Sequence, residues 1–208
     1  PLNKVKVVFC GDIRNNMAYA WMYGCAKMGM HFVAYGPKEL ADQIDHDVIA
    51  RAREVAEYTG ATIEVSSDEA CLKGADVLYT DIWASMGEED QIPERVRMLT
   101  PFKVTKEMLD KTENGDVIFM HCLPATRGEE VTDEVLDSDI SIAFDEAGNR
   151  LTAMRGILVY FMRGRQKHSP LEIAAARESL QNFLDSRILC GCFDECGIPP
   201  FDADSCFK

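Results

Sequence analysis

Short β-rich segments alternate with longer amphipathic segments along this 208-residue sequence, and the alternation predicts an α/β fold. The short segments are nearly continuous in apolar or β-branched residues, which is typical of strands that helices cover on both faces. Strand–helix–strand units of this spacing form parallel sheets through right-handed crossovers. The sequence therefore predicts a Rossmann-like, doubly wound parallel sheet, with extra helices at the C-terminal end.

Six segments are predicted to be strands: Val5–Cys10, Phe32–Tyr35, Thr62–Val65, Asp76–Thr80, Val117–His121 and Ile140–Phe144. Five helices are predicted between them: Asn16–Met28, Asp47–Thr59, Asp68–Leu72, Thr105–Asp110 and Thr132–Leu136. Asn15 or Asn16 is a typical start for the first helix, Gly29 a typical end, and Gly60 would end the second. Two further helices are predicted over Asn149–Met162 and Pro170–Leu189.

Composition limits the classes of function. A net charge of −13 disfavours nucleic acid as a partner, because a phosphate backbone requires a basic face. It also disfavours an anionic membrane surface, and no apolar segment is long enough to span a bilayer. The first residues do not have the pattern of a signal peptide, and cysteines scattered through strand and helix patterns fit free thiols. We therefore expect a cytoplasmic protein with neither nucleic-acid nor membrane partners.

The tail beyond residue 189 contains four closely spaced cysteines: Cys190, Cys192, Cys196 and Cys206. Their spacing matches no standard zinc finger, and no histidine lies nearby. A zinc site and an irregular, loosely packed tail are both open interpretations, and the second is favoured.

Ligands of an open parallel sheet bind at the carboxyl ends of its strands. The first predicted strand leads into Gly11-Asp12-Ile13-Arg14-Asn15-Asn16, which lacks two glycines of the dinucleotide-binding fingerprint. A nicotinamide-dependent dehydrogenase is therefore disfavoured.

The fourth strand leads into Asp81-Ile82-Trp83-Ala84-Ser85-Met86-Gly87. Asp81 and Ser85 there suit an ammonium group and the loop N–H groups suit a carboxylate, although Asp81 could simply cap a turn.

Two more segments carry candidate chemistry. His121 and Cys122 end the fifth strand, where neighbouring side chains normally point to opposite faces, so a thiolate–imidazole pair is disfavoured against a packed cysteine. Arg150 follows the sixth predicted strand, near the expected start of a helix. A cation is unfavourable at a helix N-terminus, so an anionic ligand or a carbonyl oxygen bound there would explain why Arg150 is at this position.

Together these segments resemble the second domain of ornithine carbamoyltransferases over about residues 4 to 163. The matching motifs are Gly11-Asp12-x-x-Asn15-Asn16, Asp81-x-Trp83-x-Ser85-Met86-Gly87-Glu88, His121-Cys122-Leu123-Pro124 and Glu146-x-x-Asn149-Arg150. The resemblance implies that the ornithine α-carboxylate is bound by Asn16 and the Met86 backbone, and the α-ammonium by Asp81 and Ser85. It places Cys122 beside the δ-amine, and around the carbamoyl group it places His121, Arg150 and the Leu123 carbonyl.

The implied reaction is carbamoyl transfer from carbamoyl phosphate to L-ornithine, within arginine metabolism and without a metal or an organic cofactor. The resemblance further implies a homotrimer, with Cys122 as an orienting group and not a covalent nucleophile. Cys122 separates this sequence from aspartate carbamoyltransferases, which have proline at that position. Whether the reaction serves arginine synthesis or citrulline breakdown stays open, since both directions use one site.

A second resemblance, to putrescine carbamoyltransferases, covers residues 125–135 and 150–160 and the predicted helix Pro170–Leu189. Those enzymes lack both the Asn-Asn pair and Ser-Met-Gly, and putrescine has no α-carboxylate. An unpaired carboxylate-binding site would penalise putrescine, so ornithine is the preferred substrate.

The phosphate-binding Ser-Thr-Arg-Thr motif of the family is not found in this sequence. We therefore expect residues 1–163 to be the ornithine-binding domain, residues 164–208 to be a C-terminal helix and cysteine-containing tail, and the carbamoyl phosphate domain to lie outside the chain. The alternative of another class is a non-catalytic amino-acid-binding or scaffolding domain. Loss of Arg150 or Cys122 would indicate it, and both are present.

Overall fold

The computed structural model describes residues 2–83 and 92–162. Five parallel strands form one sheet in the order β3-β2-β1-β4-β5, which confirms the predicted fold class. The strands are Lys6–Cys10 (β1), His31–Tyr35 (β2), Thr62–Ser66 (β3), Val77–Thr80 (β4) and Ile118–His121 (β5). The α-helices are Asn16–Met28 (α1), Lys38–Ala41 (α2), His46–Thr59 (α3), Ile92–Leu99 (α4), Lys106–Asp110 (α5), Asp133–Leu136 (α6) and Ala143–Met162 (α7). Residues 2–151 form one compact unit, and the rest of α7 from Thr152 belongs to another.

Alternation along the strands gives the sheet two apolar faces. On β1, Val7 and Phe9 pack with residues of α1 and α3, whereas Val8 and Cys10 pack on the other side with residues of α5 and α6. Because a strand projects successive side chains to opposite faces, a continuous apolar run must be covered twice. This explains why the strands are apolar throughout.

The first helix has the ends that the sequence predicts. The Asn15 side chain accepts a hydrogen bond from the Ala18 N–H at 2.8 Å, which satisfies a donor that the first turn leaves free. Gly29 ends α1 with a φ of 74°, a left-handed conformation that glycine adopts without steric cost. The Asn15 cap is at the end of α1 that lies next to the carboxyl edge of the sheet.

The sixth predicted strand, Ile140–Phe144, is wrong. Only Ser141 forms a bridge, to Phe119, and α7 begins at Ala143 instead of Asn149. A short apolar run is compatible with either structure, and Asp145 and Glu146 in the first turn favour a helix N-terminus. Arg150 consequently lies well inside α7, so its predicted place near a helix start, and the electrostatic argument built on it, are wrong.

The sequence prediction also missed two helices, α2 and α4, and the segment Glu69–Leu72 is a 3₁₀ helix. The predicted helix Pro170–Leu189 and the four tail cysteines lie outside the described residues. The four other cysteines are free, as expected. Among the described helices, none combines the length and the apolar character needed to cross a membrane.

Candidate active site

Strand order reverses between β1 and β4, where the chain leaves β1 towards β2 on one side and later continues with β4 on the other. A crevice forms at such a switch point, outside the carboxyl ends of the two strands. Asn15 follows β1 and Asp81 follows β4. The Asn15 amide donates to Asp81 Oδ2 at 3.3 Å, so the structure brings these two segments together as expected.

Asp81 is the centre of this group of residues. Its Oδ1 accepts from the Ile82 backbone N–H at 2.8 Å and from the Cys122 thiol at 3.1 Å. Three donors from three segments therefore orient one half-buried carboxylate. A carboxylate held in this way at an open sheet edge can pair with a cationic amine.

Cys122 is held as a thiol. Burial first, and then the hydrogen bond and negative charge of Asp81, raise the pKa of Cys122 to about 12. A cysteine nucleophile needs the opposite, a lowered pKa and an adjacent base. The environment of Cys122 therefore favours a neutral hydrogen-bonding group.

Tyr79 and Glu146 lie behind the thiol, and neither was given a role from sequence. Tyr79 is fully buried on β4, and its hydroxyl donates to Glu146 Oε1 at 2.9 Å. Burial raises the pKa of Glu146 and, together with the charges of Cys122 and Glu146, the pKa of Tyr79. The Glu146-x-x-Asn149-Arg150 motif was a usable indication for Glu146, whereas Tyr79 sits in a strand without any distinguishing local pattern.

His121 has no exposed surface. Its Nδ1 accepts from the Leu123 backbone N–H at 2.9 Å, and its Nε2 lies 3.3 Å from Glu130 Oε1. Leu123 has a φ of 52°, and the Leu123–Pro124 peptide bond is cis.

The sequence predicted that the side chains of His121 and Cys122 would point to opposite faces of the sheet, but in the structure their reactive atoms lie close together. A ring nitrogen of His121, Cys122 Sγ and a carboxylate oxygen of Asp81 lie within 4.8 Å of one another. The strand ends at His121, so strict alternation does not extend to Cys122. Nitrogen, sulfur and oxygen donors at this spacing could hold a transition-metal ion, although His121 Nδ1 already accepts a hydrogen bond.

The other expected site residues form no hydrogen bond with Asp81 or Cys122 among the described residues. Asn16 is the exposed first residue of α1, at the same edge of the sheet. Arg150 is exposed on α7 and forms no hydrogen bond or ion pair within the described part of the chain. Ser85 and Met86 lie outside the described residues.

Comparison with known proteins identifies the family of this chain. The family model described as aspartate/ornithine carbamoyltransferase, Asp/Orn binding domain, matches residues 3–161. The chain belongs to this family. An ornithine carbamoyltransferase of Clostridium perfringens, named as catabolic, is 51% identical over 179 residues, and the match covers 76% of this chain and 53% of that protein. The ornithine carbamoyltransferase of Thermotoga petrophila is 48% identical over 159 residues, covering 76% and 50%.

Solved structures give the same result for this carbamoyltransferase domain. Ornithine carbamoyltransferase from Pyrococcus furiosus aligns with a TM-score of 0.71 at 42% identity, covering 78% of this chain and 51% of that one. Ornithine transcarbamoylase from Giardia lamblia aligns with a TM-score of 0.71 at 36% identity, covering 79% and 53%. The chain thus spans about half the length of these relatives. The matches support the ornithine resemblance, and they add nothing to the putrescine-like features.

Proposed function

We propose that the complete protein containing this chain transfers the carbamoyl group of carbamoyl phosphate to the δ-amine of L-ornithine, releasing L-citrulline and phosphate. The observation that carries the proposal is the contact of Asp81 with both Cys122 and Asn15 at the switch point of the sheet. Residues 1–163 serve as the ornithine-binding domain, residues 164–208 form a C-terminal extension, and carbamoyl phosphate is held mainly by groups outside this chain.

Each end of ornithine has a proposed set of partners. Asn16 and the backbone of Met86 bind the α-carboxylate, which the free N–H groups at the start of α1 also attract. Asp81 and Ser85 bind the α-ammonium. Because Asp81 also contacts Cys122, one carboxylate can organise both the ammonium and the thiol that faces the δ-amine.

In the proposed step, the neutral δ-amine attacks the carbamoyl carbon, the bond from that carbon to the phosphate oxygen breaks, and the proton lost by the amine passes to the departing phosphate. Catalysis then rests on positioning and on stabilising the developing oxyanion. Cys122 orients the amine as a neutral thiol, in keeping with its raised pKa. Arg150 and the Leu123 carbonyl face the carbamoyl group, and His121 lies in the same part of the site. The step needs no metal and no organic cofactor.

The remaining proposals concern the setting of the reaction. We propose a cytoplasmic homotrimer in arginine metabolism, with ornithine and carbamoyl phosphate as its ligands and without nucleic-acid or membrane partners. Putrescine carbamoyltransferase is the alternative that the matching segments at residues 125–135 and 150–160 keep open. A non-catalytic, amino-acid-binding domain is the alternative of another class.

Steady-state kinetics of the complete protein with carbamoyl phosphate and either amine test these alternatives. Losing a charged contact costs about 2–4 kcal/mol, so kcat/KM should favour ornithine over putrescine by at least about a hundredfold. Comparable values would overturn the ornithine assignment. Ornithine binding by calorimetry without any citrulline formation would instead indicate the non-catalytic alternative.

A further inference from the structure

His121 and Glu130 form a fully buried polar pair, and the proposed chemistry gives Glu130 no role. Neither side chain has exposed surface, and Val131, next to Glu130, belongs to the apolar cluster on that face of the sheet. Burial of polar groups is unfavourable unless other groups satisfy them. The groups that His121 and Glu130 bind therefore indicate what the pair does.

The hydrogen bonds around the pair fix which ring nitrogen has the proton. His121 Nδ1 accepts from the Leu123 N–H at 2.9 Å, so in a neutral ring the proton is on Nε2. Nε2 faces Glu130 Oε1 at 3.3 Å, an electrostatic contact whose alignment falls outside hydrogen-bond geometry. Glu130 Oε1 also accepts from the Thr126 backbone N–H at 2.5 Å.

The pair thus holds both ends of one turn. Leu123 N–H is bound to His121, and Thr126 N–H is bound to Glu130. Between them, Leu123 has a φ of 52°, in the left-handed region that a leucine rarely adopts. A residue keeps such a conformation only where its surroundings determine it, and the His121 acceptor provides that constraint.

We propose that Glu130 and His121 are positioning residues that hold the Leu123 turn, so that the Leu123 carbonyl meets the carbamoyl group. Neither side chain touches the substrate. This role rests on the proposed function and refines it, because His121 then acts through Leu123 and not by direct contact. Nδ1 is occupied by the Leu123 N–H, so it is not free to accept a proton from the δ-amine.

Two substitutions of His121 in the complete protein separate positioning from direct contact. The side-chain oxygen of asparagine can replace Nδ1, whereas the longer glutamine places its polar end near Nε2. We expect His121→Asn to keep kcat within about tenfold of the original and His121→Gln to lose at least about a hundredfold. If His121→Gln instead keeps more activity than His121→Asn, the proposal is overturned, because the reaction would then depend on Nε2 and not on Nδ1.

Glu130 has a conservative replacement and a neighbouring control. Glu130→Gln keeps an acceptor for the Thr126 N–H and should hold kcat within about tenfold, whereas Glu130→Leu should lower it by at least about a hundredfold. Glu129→Gln, next to it on a partly exposed side chain, should change nothing. Ornithine affinity, measured by calorimetry, should stay within about threefold in all of these variants, because Asp81 and Asn16 are untouched. A matching loss of ornithine affinity would indicate a general structural defect and overturn the positioning role.

A measurement on the unaltered protein tests the proposal even if the variants fail to fold. Nitrogen NMR of ¹⁵N-histidine-labelled protein should show His121 with its proton on Nε2, and a proton on Nδ1 would overturn the proposal. The outcomes are separable from the proposed function. If the unaltered protein makes no citrulline, the function fails; if it does and Glu130→Leu matches it, only the positioning role fails.

Discussion

The thiol of Cys122 donates to the carboxylate of Asp81 across the ends of two neighbouring strands, with Sγ 3.1 Å from Oδ1. The register of β4 and β5 explains the contact, because Thr80 pairs with His121 and the residues that follow them lie side by side. The carboxylate penalises the thiolate, since ionisation would place two negative charges together. Cys122 is therefore held in the state that can donate a hydrogen bond.

Removing the Asp81 charge should lower the pKa of Cys122. Burial is the larger cause of the raised value and remains in Asp81→Asn, while the hydrogen bond to a carboxylate and the charge repulsion are lost. The pH at which Cys122 becomes reactive should therefore fall, and alkylation at a fixed alkaline pH should be faster. Peptide-resolved mass spectrometry after iodoacetamide treatment measures this.

Cys25 is the internal control for that experiment, because burial alone raises its pKa to about 12. Its alkylation should be the same in both proteins. An unchanged rate at Cys122 would show that Asp81 does not control the thiol, and equal acceleration at Cys25 would indicate loosening of the fold.

Cys122→Ser should weaken carbamoyl transfer in the complete protein without abolishing it. Serine keeps a hydroxyl that can donate to Asp81, and an orienting role requires only a neutral donor. The expected loss in kcat is about ten- to a thousandfold, against near-total loss for a covalent nucleophile. Single-turnover kinetics with mass spectrometry tests both, and a carbamoyl-thioester trapped on Cys122 would refute the orienting role.

The sequence predicted that the segments after β1, β4 and β5 would meet at the carboxyl edge of the sheet, because this depends on topology alone. Asn15, Asp81 and Cys122 each follow an apolar strand, and an open parallel sheet gathers such residues at one edge. Glu130 could not be found in this way. It is fully buried while Glu129 is partly exposed, and nothing in the local pattern distinguishes two adjacent glutamates. The difference arises from the turn after His121, whose left-handed Leu123 is not evident from local propensity.

Gly36 should tolerate no larger residue, because it lies against the loop that leads from β1 into the site. A Cβ there would lie 2.5 Å from the Gly11 carbonyl oxygen and 2.9 Å from Ile13 Cγ2. Since one of these neighbours is backbone, we expect Gly36→Ala to lower the free energy of unfolding by about 1–3 kcal/mol in urea denaturation.

Gly24 gives the matched control for that substitution. It lies inside α1, and an added Cβ would meet no atom within 4 Å. Alanine favours a helix interior over glycine, so Gly24→Ala should raise the free energy of unfolding by about 0.5–1 kcal/mol. A loss of stability of the same size in both variants would show that the Gly36 contacts are not its cause.

The 208-residue chain by itself should fold but should not form citrulline. The parallel sheet has apolar cover on both faces, whereas the chain contains no Ser-Thr-Arg-Thr motif to bind the phosphate. It should also self-associate. Phe144 and Leu151 on α7 are 62% and 59% exposed, and exposed apolar surface of this kind promotes association. Citrulline assays of the chain, with light scattering over a range of concentrations, measure both properties. Robust citrulline formation by a monodisperse monomer would contradict the proposed division of the site between this domain and another.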